Sequence, residues 1–98
     1  MGAAVFYETS SGKNADEAFA RAVDQARHEY GHRPYTGEIC EKSEYVMITR
    51  EVMTLKKAED LANRLIEDGD PRIDSKSGPA GCIQLTTGEY FFFGWASC

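Results

Sequence analysis

His28 and His32 stand four residues apart, a spacing that brings two imidazoles to one helix face and would let them share a metal ion. Gly31 is expected to end the helix before the second of them, and no Cys-x-x-Cys or His-Glu-x-x-His accompanies the pair. Two surface histidines are the simpler reading. Cys40 follows within a dozen residues, so a Cys40/His32 nucleophile or metal site can be drawn, again without a supporting motif. The segment from His28 to Gly37 is richer as a whole, because it gathers imidazole, guanidinium and phenol groups in one connection. His32, Arg33 and Tyr35 are therefore candidate recognition residues, each presenting a broad face and a polar tip. The structural alternative is a rigid turn in which Tyr35 plugs the edge of the core.

Two further segments have chemical potential. Gly78-Pro79-Ala80-Gly81 has the glycine content of a phosphate-binding loop but lacks the Gly-Lys-Ser/Thr ending and precedes a strand instead of a helix. Glu67, Asp68, Asp70 and Asp74 form the densest acidic patch, either an ordinary solvated helix end or a mimic of nucleic-acid phosphates.

The elements that must hold these groups can be read from pattern. Ala3 to Thr9 is β-prone and ends at Ser10-Ser11-Gly12, which predicts a first strand. Asn14 with Glu17 resembles a capping box, and Ala15, Ala18, Phe19, Ala22, Val23, Ala26 and Tyr30 recur at helical spacing, which predicts a helix over 15–30. After the His32 to Gly37 turn, Ile39-Cys40 and Tyr45 to Thr49 are expected to form a strand pair. Leu55, Ala58, Leu61, Ala62, Leu65 and Ile66, behind Thr54 and ahead of Gly69, predict a second helix over 55–68. Residues 69–79 read as an exposed loop with little to offer a core. Cys82 to Thr86 and Glu89 to Ala96 then form a terminal hairpin around Thr87-Gly88. Its three successive phenylalanines, Phe91 to Phe93, require cover on more than one face, because strand side chains alternate. The order β-α-β-β-α-β-β predicts an α+β domain spanning residues 1–98, with an antiparallel sheet of four or five strands and two helices on one face. The expected arrangement is ferredoxin-like, with an added C-terminal strand.

Ninety-eight residues with 42% hydrophobic and 28% charged content suit one small folded unit, alone or as a homodimer. No apolar run approaches a membrane span, and no basic leader precedes one, which leads to the expectation of a cytoplasmic protein. Eleven Lys plus Arg against sixteen Asp plus Glu argue against direct nucleic-acid binding. Three scattered cysteines, Cys40, Cys82 and Cys98, cannot close into a purely internal disulfide framework and are expected to be reduced. No cofactor motif is present.

Taken together, Tyr30-Gly31-His32-Arg33-Pro34-Tyr35-Thr36-Gly37-Glu38-Ile39 and the later Gly78-Pro79-Ala80-Gly81-Cys82-Ile83 with Tyr90-Phe91-Phe92-Phe93-Gly94-Trp95-Ala96-Ser97 resemble small proteins of phages and other mobile elements. The chain departs from that pattern at Arg33 and Ser77, where an acidic and an aromatic residue would be expected. The resemblance implies the context of a bacterial host, in which small acidic proteins of this kind often inhibit defence systems, anti-CRISPR proteins among them. The leading expectation is thus a non-enzymatic inhibitor of a CRISPR-Cas-like host defence complex. It would use His32, Arg33 and Tyr35 with Glu67, Asp68, Asp70 and Asp74 against a basic surface. An alternative is a binder of a signalling nucleotide, with Arg33, Tyr35 and the Gly78 to Gly81 loop around the ligand. A Cys40/His32 hydrolase or metal enzyme stands third.

Overall fold

The computed structural model describes residues 2–30 and 35–98. Its elements are β1 (Ala3–Ser11), α1 (Ala15–Tyr30), a 3-10 turn (Ile39–Glu41), β2 (Tyr45–Met47), α2 (Leu55–Asp68), β3 (Ala80–Gln84) and β4 (Glu89–Ser97). Both helices begin where their punctuation predicts, and α2 also ends there. Asn14 Oδ1 accepts from the Glu17 N–H at 2.9 Å, while the Glu17 carboxylate reaches back to the Lys13 N–H at 3.4 Å. Thr54 caps α2 by accepting from the Lys57 N–H, and Gly69 closes it in the left-handed conformation.

The strand expected at Ile39-Cys40 is instead the 3-10 turn. Its N–H groups are used locally, Glu41 to Glu38 O and Lys42 to Ile39 O, at 3.0 and 2.9 Å. Thr36 donates from its N–H and its hydroxyl to the Glu41 carboxylate, which curls the chain before a strand can start. Four strands remain, in the order β1-β4-β3-β2. The sheet is mixed where an antiparallel one was expected. β4 is antiparallel to both β1 and β3, whereas β2 runs parallel to β3. The α+β class holds, but with β2 and β3 as direct neighbours the strand order is not the split β-α-β of a ferredoxin-like sheet.

The helices lie on opposite faces of the sheet, not on one. Ala18, Ala22 and Ala26 of α1 pack with Phe6, Ala80, Cys82 and Phe92, while Ala58 and Ala62 of α2 pack with Ile83, Leu85, Phe91 and Phe93. Strand connectivity explains this. The chain crosses from β1 at one edge to β2 at the other through α1, then turns back to β3 through α2. Crossovers between parallel strands share one hand, so two that run in opposite directions must lie on opposite faces. All three successive phenylalanines are consequently buried, Phe92 under α1 and its neighbours under α2.

Two smaller expectations also change. Leu55, at the first position of the predicted apolar stripe, is largely exposed. The loop after α2 contributes to the core after all: Ile73 is fully buried in the α2-side cluster. Lys42, also buried, fixes the next part of this loop by donating from Nζ to the carbonyls of Ser75, Lys76 and Gly78 at 3.2, 3.1 and 2.8 Å. Gly81 has a packing role: the Phe93 ring lies across it, with a ring atom 2.6 Å from where a Cβ would stand. No described helix is long and apolar enough to cross a membrane.

Candidate functional site

The candidate residues fall at two separate places. His32 and Arg33 lie outside the described residues. Tyr35 follows them with its ring half-exposed and its backbone at φ 58°, so it does not plug the core edge. A left-handed tyrosine costs of order 1 kcal/mol. Two residues on, the Gly37 N–H donates to Ser97 O at 2.7 Å, which ties this segment to the end of β4 beside β1. The acidic residues gather instead around the C-terminus of α2, across the sheet. Glu67 and Asp68 are exposed on its last turn, and Asp74 returns beside Gly69. Asp70 is committed to Arg72, whose Nε and a terminal nitrogen each bond one carboxylate oxygen at 3.0 Å. Those hydrogen bonds hold the Asp70 carboxyl below its usual range. Arg72 also donates to Ile48 O, so this pair anchors the loop to the β2 side of the sheet.

The remaining sequence candidates have structural employment. Gly78 O accepts from Lys42, the Ala80 N–H donates to Glu44 O, and Gly81 lies under Phe93, so the glycine segment is built into the fold. Cys40 is half-buried with its Sγ 3.2 Å from the Thr36 hydroxyl, and its proposed partner His32 lies outside the described residues. His28 is exposed on α1. Cys82 is buried, which pushes its thiol up to about 12 and makes it inert. Among the described residues no cluster of His, Cys, Asp or Glu could hold a metal ion.

Two features were not legible beforehand. One is an acidic cluster formed by Glu8 of β1, Glu29 of α1 and Glu38. Burial, then repulsion from Glu29 and from Glu38, raises the Glu8 carboxyl, while burial and Glu29 raise that of Glu38. The other is an open cleft of about 560 Å³ between the first turns of α1 and β2, lined by Asp16, Phe19 and residues 43–47. The Tyr45 hydroxyl donates to Asp16 across it. Burial first, and that bond second, push the Tyr45 phenol up to about 12. The only sequence signal for this cleft is the short β-prone run at Tyr45, whose edge position depends on strand order. No protein-family model, curated protein or solved structure matches the chain.

Proposed function

We propose that the protein is a non-enzymatic binding protein of phage or mobile-element type that blocks a CRISPR-Cas-like host defence complex by occupying a basic, nucleic-acid-binding surface. One observation carries the reading. Glu67 and Asp68 stand on the last turn of α2, where no basic residue accompanies them and where the helix dipole is negative. Carboxylates there cost about 0.3–1 kcal/mol each, and with Asp74 they make no ion pair among the described residues. A charge arrangement that opposes local stability supports an electrostatic role. Arg72, in the loop that follows α2, is already paired with Asp70. The exposed, strained Tyr35 provides a second, separate contact.

The test is an affinity pull-down of the tagged protein from bacterial lysates expressing CRISPR and other defence systems, with the triple variant Glu67→Gln, Asp68→Asn, Asp74→Asn beside it. The wild-type chain is expected to retain a stoichiometric effector at low salt. The variant should lose it while melting at the same temperature or higher, because the unfavourable helix-end charges are gone. Undiminished capture by the variant would remove the electrostatic basis of the reading.

A further inference from the structure

β2 is an edge strand, and its pairing with β3 uses only alternate residues. Glu44 O accepts from the Ala80 N–H and the Ile48 N–H donates to Cys82 O, both at 3.0 Å. In a parallel ladder this parity turns Glu44, Val46 and Ile48 toward β3. The N–H and C=O groups of Tyr45 and Met47 therefore face outward, along the cleft bordered by residues 43–47. Unpaired strand edges accept another strand, and natural proteins protect them with lysine, proline or a covering element. β2 has no lysine or proline, and Lys42 just before it is buried and directed at the loop after α2.

The side chains beside this edge indicate what it accepts. Phe19, Tyr45 and the exposed Met47 supply apolar surface on the α1 face, with Asp16 among them, and Glu44 stands next to Val46. An added strand would present its side chains alternately to the two faces. A basic side chain on one face would meet Asp16, and one on the other would meet Glu44. We infer that β2 is a docking edge for an extended protein segment carrying Lys or Arg between aliphatic residues, bound by strand addition with the two carboxylates as charge partners. The inference rests on the reading of the protein as a binder of a basic partner, and it gives that partner a third contact, separate from the α2 terminus and from Tyr35.

The probe is the peptide acetyl-Val-Lys-Val-Val-Arg-Val-Val-amide, whose Lys and Arg, three positions apart, fall on opposite faces of a strand; it is titrated into the intact protein, with amide hydrogen exchange followed at each residue. Binding should slow exchange at Tyr45 and Met47, and Asp16→Asn with Glu44→Gln should weaken it by about tenfold or more. Met47→Pro should abolish the protection while leaving the fold intact, because proline is tolerated where a strand N–H faces outward. Absent binding, or binding with the two amides unaffected, would overturn the inference. So would a dimer in sedimentation that hides the β2 edge without peptide. If the pull-down effector is retained by Met47→Pro and by the Asp16/Glu44 variant, the edge is not its contact, and the inference falls while the proposed function stands. If wild-type protein captures no effector but the peptide still protects Tyr45 and Met47, the proposed function falls and the docking edge stands.

Discussion

Glu8 shows how the tertiary neighbourhood sets a residue's behaviour. It sits on β1, where local sequence suggests only an exposed polar position, yet the C-terminal end of α1 and the residue before the 3-10 turn bring Glu29 and Glu38 toward it. Its folded-state carboxyl titrates above the ordinary value of 4.5. The folded chain thus holds a proton there that the unfolded chain has released. Stability from this site is greatest below 4.5 and falls as pH rises through the raised value. Glu8→Gln is accordingly expected to raise the melting temperature at pH 7 and to change it little at pH 4. Thermal unfolding of both proteins at the two pH values checks this, and equal shifts would remove the electrostatic explanation.

Among the elements, the segment between α2 and β3 depends on one buried ammonium. Lys42 satisfies three carbonyls, and burial lowers its pKa. Lys42→Met keeps much of the packed stem but leaves the carbonyls without their donor, at a cost of about 1–3 kcal/mol. Faster tryptic cleavage after Arg72 and Lys76 should accompany the loss; unchanged cleavage would mean that Ile73 and the Asp70–Arg72 pair hold the loop without it. β3 has a different constraint. Gly81→Ala would drive a methyl into the Phe93 ring and force the β3–β4 pair apart. Overpacking of this kind costs about 1–3 kcal/mol, readable as a lower denaturant midpoint.

For the whole molecule, the two cores share one sheet, with adjacent residues of β4 serving opposite faces. Phe92→Ala and Phe93→Ala are each expected to cost about 3–5 kcal/mol. Both should lower one common unfolding transition, since neither face can lose its cover without exposing the sheet that the other uses. Trp95 is the single tryptophan, and its indole N–H has no hydrogen-bond partner among the described residues, so its fluorescence reports that transition from within β4. Separate transitions by fluorescence and circular dichroism would show that the faces unfold independently.

Local pattern alone determined both helices, the first strand and the terminal hairpin, because caps, 3.6-residue periodicity and turn residues act over a few neighbouring positions. The acidic group at 67–74 was legible for the same reason, since its members are close in sequence. What local pattern could not contain was the neighbour of each strand. The position of β2 at an edge beside β3 put the helices on opposite faces, buried all three phenylalanines and opened the Asp16/Tyr45 cleft. It was likewise long-range packing that buried Lys42 and brought Glu8 near Glu38. These features arise from contacts between residues tens of positions apart, whose pairing is selected by how two apolar faces are covered at once and not by the propensity of any one segment.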